Sequence, residues 1–465
     1  MNMTEIMSQA EKQSMEKSAP VQHKVRIRAI VQLAYPIVIA QLGSIFQGWA
    51  DTIMVGQYGT PELSAASFVN NVFNLCIYFL LGISYATTPI VAGHFGQGRF
   101  AKTLQTLRES NWVNLLASLL VVLLLLLLYL NVHHLGQPQE LLPLIRPYFI
   151  VLLISLPFMS LFNSMKQFSD ALGDTLTPMW VMIGSNILNL ILNYLLIFTL
   201  DLGLLGAGMA TLIARASTPV AMWVALRRGR LLATPQFRQV PPSSTSCTRD
   251  GMLNLFRLGL PISIQLCLEA SSFNVAAIFM GWIGVTALAA HQVMATVSTL
   301  AFMVYYGIGA AAAIRIAYYR GRHDWQEVRL TARTAFFLSL FSGIVIVSAI
   351  CFAGHPLVSI FTTSPDVAFL FIAMLPAFAC YQLGDCLQVT YANALRAIKS
   401  VRAMMLYAFI AYALVSIPLS YLFAFPLHMG AVGIWWAFPF GLTTAGLCYC
   451  IHFLYQCNKW AKREG

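Results

Sequence analysis

Three carboxylates stand inside otherwise apolar runs: Asp51 in WADTIMVGQYG, Glu269 in QLCLEASSFN and Asp385 in YQLGDCLQV. A charge placed mid-bilayer costs about 2.5–3.5 kcal/mol on insertion scales, so an acid there is expected to bind or exchange something. The residue types nearby favour ion handling. Asn189 and Asn193 lie one helical turn apart and share a face, and Thr211 adds a hydroxyl. With Asp51 they form an all-oxygen set suited to a hard cation or a proton. Tyr381 lies one turn before Asp385, and Glu269 is flanked by Ser271 and Asn274. Na⁺ is therefore expected either at Asp51 or at Glu269 and Asp385, with a proton as the alternative. Competition between that ion and a cationic substrate for one carboxylate would give antiport directly, because each excludes the other. The plainer alternative is a carboxylate hydrogen-bonded to Ser, Tyr or Asn that only holds helices together.

Other candidates carry less chemistry. His291 and Gln292 are read as cleft-lining residues or as interhelical hydrogen-bond partners. Arg215, inside an apolar run, is expected to snorkel toward the cytoplasmic interface or to pair with a carbonyl. No Walker motif, GxSxG, HExxH or CxxC occurs, so neither ATP hydrolysis nor catalysis is expected of this chain, and no cofactor beyond the coupling ion.

These residues need apolar elements to hold them. Of 465 residues, 58% are hydrophobic and 10% charged, against roughly 25% charged in an average soluble domain. The nearly unbroken Leu and Val run at 115–130 excludes the alternating pattern of a β-barrel and indicates helical spans. Spans are expected at 31–56, 66–92, 111–131, 143–165, 177–200 and 203–226, then at 253–281, 286–313, 333–353, 366–391, 402–425 and 430–455. Lys and Arg, 28 against 17 acids, cluster in alternate connections, among them Lys166, Arg227 and Arg396. That pattern reports topology and not a nucleic-acid partner, and it places both termini in the cytoplasm. No secretory signal is read at the start of the chain.

The segment 227–252, rich in Arg, Pro, Ser and Thr, is read as a cytoplasmic linker between an N-lobe (29–226) and a C-lobe (253–456), with tails at 1–28 and 457–465. A slide of 225 positions superposes Pro36 on Pro261, Gly56 on Gly281, Gly59 on Gly284, Gly82 on Gly307 and Ile83 on Ile308. The expected fold is an all-α membrane protein of twelve transmembrane helices. They form two six-helix lobes, related by a pseudo-two-fold axis along the membrane normal. Asp51 and Glu269 are not repeat mates: the position 225 after Asp51 is Ala276.

The segments LAYPIVIAQ, WADTIMVGQYG and TTPIVAGHFGQGR resemble the multidrug and toxic compound extrusion (MATE) family, as do LGLPISIQLCLEA, IGVTALAAHQV and YQLGDCLQVTYANALRAIKS. The resemblance spans residues 28–456. It implies an antiporter of the bacterial inner membrane that exports cationic, often aromatic compounds against Na⁺ or H⁺, as a monomer in the bilayer. Asp51 matches the family's N-lobe acid, with Asn189, Asn193 and Thr211 as its partners. Glu269, Tyr381 and Asp385 match the C-lobe set of the NorM-type branch. Asn193 stands where some proton-coupled relatives carry a second acid, which favours the NorM type. A lipid-linked flippase of related architecture is the alternative; it would line its cleft with several cations, whereas only Arg215 and Arg315 lie in spans away from the loop clusters.

Overall fold

The computed structural model describes residues 19–134, 138–229, 232, 234–241 and 245–464. Most of the 1–28 tail, part of the 227–252 segment and position 465 thus lie outside the described residues.

Among the described residues twelve helices are long and apolar enough to cross a membrane: α1 (His23–Tyr58), α2 (Thr60–Gly96), α3 (Phe100–Leu130), α4 (Gln139–Ala171), α5 (Leu176–Thr199), α6 (Gly203–Arg228), α7 (Arg249–Ile283), α8 (Val285–Gly321), α9 (Trp325–Phe352), α10 (Pro365–Ala397), α11 (Val401–Ala424) and α12 (Gly430–Arg463). The exposed face of α3 is leucine, at 116, 119, 120, 123, 124 and 127, which suits hydrocarbon as the surrounding solvent. Several helices continue past the apolar run that marks them; α10 carries on through Arg396 to Ala397. Within α2 the regular α-helix stops at Tyr85 and resumes at Thr87. Pro89 accounts for the break, since its ring removes a donor and crowds the carbonyl four residues earlier, that of Tyr85.

Two compact units emerge: Ile39–Ser263, and Ile264–Gly465 together with the described part of Thr4–Val38. The division falls inside α1 and inside α7, and the described part of 227–252 belongs wholly to the first unit. Packing explains both positions. A methyl group added to Gly82 of α2 would lie 2.3 Å from the Ser263 Cα of α7, and one added to Gly307 of α8 would meet Val38 of α1. Small residues at these crossings let one backbone lie directly on the next.

The backbone repeats as the sequence does. Both α2 and α8 begin and end 225 positions apart, at Thr60 and Val285, Gly96 and Gly321. Left-handed turn residues recur at or near that offset: Gly98 (φ 70°) with His323 (63°) at 225 positions, Gly173 (85°) with Lys399 (62°) at 226, and Asp201 (52°) with His428 (53°) at 227.

Candidate functional site

In the first unit α1, α5 and α6 bring the expected residues into contact. Asn193 Nδ2 donates to Asp51 Oδ1 at 2.5 Å and to Asn189 Oδ1 at 3.1 Å. Asn189 Nδ2 donates in turn to Thr211 Oγ1 at 3.5 Å. Both asparagines are fully buried. Asn193 spends both of its donor directions on oxygens, while its own Oδ1 accepts nothing among the described residues. A bare carbonyl oxygen is thereby buried beside a carboxylate. The α5 helix widens into a π-helical turn, Tyr194–Thr199, immediately after Asn193; such turns recur at functional sites.

Asp51 also borders a cavity of about 570 Å³, within the roughly 300–1,000 Å³ range of small-molecule sites. Its wall is rich in amides, with Asn70, Asn74, Asn163 and Asn186, and carries Phe73, Tyr148 and Phe162. Among the described residues lining it, Asp51 and Arg215 alone are charged. This placement corrects the snorkelling expected of Arg215. Its Nη1 donates to Ser155 Oγ at 2.8 Å, and its charge acts on Asp51 and Tyr148. With Arg215 midway along the 26 residues of α6, each helix end is about 20 Å away at 1.5 Å per residue, beyond the reach of an arginine stem.

The second unit holds the other two acids. Glu269 Oε2 accepts from Gln265 Nε2 at 2.7 Å and from Gln388 Nε2 at 3.3 Å. Gln265 Oε1 accepts from Arg396 Nη2 at 2.6 Å, and the Arg396 charge reaches Glu269. Asp385 is buried on α10, near enough for its charge to act on Glu269, and its Oδ2 has no partner among the described residues. Tyr381, one turn earlier, sits among Phe273, Phe378, Trp435 and Phe438, with ring centroids 5.8–6.3 Å from its own. Half-buried Glu269 and buried Asp385 thus feel one another's charge, and the Arg396 guanidinium acts on Glu269. Groups of three or more His, Cys, Asp or Glu that could hold a metal are absent among the described residues.

The MatE family model matches the chain twice, over residues 36–195 and 261–422. The chain belongs to the MatE family. It is 32% identical over 421 residues to the probable multidrug resistance protein NorM of Bradyrhizobium diazoefficiens, covering 88% of this chain and 89% of that one. It is 28% identical over 457 residues to the multidrug resistance protein MdtK of Yersinia pseudotuberculosis, covering 95% and 96%. In fold it is similar to the eukaryotic MATE transporter AtDTX14, with TM-score 0.84, 18% identity and coverage of 95% and 99%. It is also similar in fold to a variant of the Vibrio cholerae MATE transporter VcmN, with TM-score 0.83, 20% identity and coverage of 94% and 98%.

Within this MATE transporter the remaining candidates fall elsewhere. His291 is buried in the core of the second unit with its ring 5.7 Å from that of Trp435. Gln292, the next residue on the same helix, is exposed. Neither joins the Glu269 network. Ser271 and Asn274, the expected neighbours of Glu269, give way to Gln265 and Gln388. Arg396 and Lys166, read as loop charges, are both buried: Arg396 in the Glu269 network, Lys166 paired with Asp170 at 2.9 Å. The spacing of Gln265 four residues before Glu269 is the one sequence signal that pointed to the missed amide.

Proposed function

We propose that the protein is a secondary active multidrug efflux antiporter that exports cationic and aromatic compounds in exchange for Na⁺ or H⁺ by alternating access. It works as a monomer in a bacterial inner membrane with both termini cytoplasmic. The observation that carries this reading is the Thr211–Asn189–Asn193–Asp51 line, which ends in a carboxylate with an unpartnered carbonyl oxygen beside it. Anionic and carbonyl oxygens at one point suit a bare cation or a proton, and a cationic compound competes for the same carboxylate. Charge balance supports a second ion position: of the neighbouring acids Glu269 and Asp385, it is Glu269 that the Arg396 charge reaches, and an uncompensated buried charge is costly. The names of the relatives NorM and MdtK, both multidrug resistance proteins, agree with the cargo class.

The test is exchange in proteoliposomes with ethidium as cargo, under an imposed Na⁺ gradient or an imposed H⁺ gradient. Either gradient should drive uphill dye movement, and Asp51→Asn should abolish it while expression persists. Full transport by that variant would sink the reading.

A further inference from the structure

Cation exchange at Asp51 has no use for a second fixed cation in the same cavity. A guanidinium nearby weakens the pull of Asp51 on a purely cationic cargo. Yet Arg215 stands mid-span, where an arginine is expensive to keep, and points into the cavity with one hydrogen bond, to Ser155. A purely structural arginine would be expected to occupy more of its five N–H donors. The ion pairs of the described residues are Arg26 with Glu327 and Lys166 with Asp170, so Arg215 and Asp51 remain separate charges on one wall.

Resting on the antiport reading above, we infer that this cavity selects zwitterionic cargo: the Arg215 guanidinium takes the carboxylate of a compound whose protonated amine is held by Asp51. A guanidinium fork matches a carboxylate with two parallel hydrogen bonds, which gives orientation as well as attraction. The aromatic body lies against Phe73, Tyr148 and Phe162, and the asparagine amides meet its polar edges. Exchange logic survives, since a proton or Na⁺ at Asp51 removes the partner of the amine and leaves a net positive cavity. Cargo with one charge fits worse in either direction: a pure cation meets Arg215 unpaired, and a pure anion meets Asp51.

Three forms of one fluoroquinolone isolate the chemistry: the free zwitterion, its ethyl ester, which keeps only the amine charge, and its N-acetyl form, which keeps only the carboxylate. Binding to the purified full-length protein is read by intrinsic fluorescence and exchange by proteoliposome flux, with ethidium run alongside. The wild type should bind the zwitterion about tenfold or more tighter than either single-charge form, as expected for a charge-assisted pair. In Arg215→Met the ratio of zwitterion to ester should fall to near one, and Arg215→Lys should restore part of it. Melting temperatures of both variants establish that they are folded; should Arg215→Met not fold, the Lys variant and the three ligands on wild type still decide. Equal wild-type affinity for zwitterion and ester, tighter binding of the N-acetyl form, or an unchanged ratio in a folded Arg215→Met would each overturn the inference. Ethidium exchange without a zwitterion preference removes this inference alone, whereas absence of any ion-driven flux removes the antiport reading.

Discussion

Ser263 lies across Gly82 so closely that a single methyl group at position 82 would come within 2.3 Å of its α-carbon. The repeat mates of these two residues, Val38 and Gly307, meet in the second unit. The half of α7 before Ser263 is thus a working part of the first unit, as the half of α1 before Val38 is of the second. Each crossing depends on a glycine: at Gly82 the backbone of Ser263 sits on the far side and cannot rotate away, and at Gly307 the Val38 side chain fills the space.

Gly82→Ala follows from this contact. Helix propensity favours alanine by about 1 kcal/mol, but overpacking against rigid backbone costs typically 1–3 kcal/mol and more when nothing yields. The variant should melt several degrees lower and give less monodisperse protein. Gly184→Ala on α5 is the matched control, with nothing within 4 Å of the added methyl, and should be neutral or slightly stabilising. Equal melting temperatures for the two variants would refute the crossing.

Arg396 offers a test of the second site. It lies in the last turn of α10, bonds Gln265 at 2.6 Å and puts its charge on Glu269. Removing one partner of a buried charged network typically costs about 3–5 kcal/mol, because the other charge is left stranded. Arg396→Met should therefore be strongly destabilised, and Arg396→Met with Glu269→Gln should recover a substantial part of the loss despite carrying two changes. A thermal-shift series on the three proteins reads the coupling. If the double variant is no more stable than Arg396→Met alone, Arg396 is not the counter-ion of Glu269.

Much of this was legible in the chain itself. An acid in an apolar run stands out at single-residue resolution, so Asp51, Glu269 and Asp385 were visible, and one-turn spacing tied Asn189 to Asn193. Glycines and prolines 225 apart exposed the duplication, because backbone requirements leave a residue-type mark. Arg396 was misread because loop charges and last-turn charges look alike until the helix end is known, and α10 runs one residue beyond it. Arg215 was misread because snorkelling was assigned without asking how far the interface was from mid-helix. The halves of α1 and α7 that change units leave no mark at all: both helices are continuous, and only the partners of Val38 and Ser263 reveal the exchange.

The duplication also makes Lys399 an anomaly with a measurable consequence. Gly173, in the equivalent turn 226 positions earlier, takes φ 85° freely, whereas Lys399 takes φ 62° with a side chain attached, a strain of about 1 kcal/mol. In the turn between α10 and α11, burial and then the charge of Arg320 lower the Lys399 ammonium from 10.5 to about 8. Below about pH 8 the lysine is charged both folded and unfolded, and the folded state bears the whole penalty. Between about 8 and 10.5 the unfolded chain still binds a proton that the folded state has released, so stability rises with pH. Above 10.5 the penalty is gone. Lys399→Met should therefore raise stability at pH 7 by about 1–2 kcal/mol, the shift being discounted for partial solvent exposure, and that gain should fade toward pH 10.5. Lys399→Gly should add a further increment from the relieved backbone that stays constant with pH. Melting curves of the three proteins at pH 7, 9 and 10.5 separate the two effects, and a pH-independent gain in Lys399→Met would refute the electrostatic part.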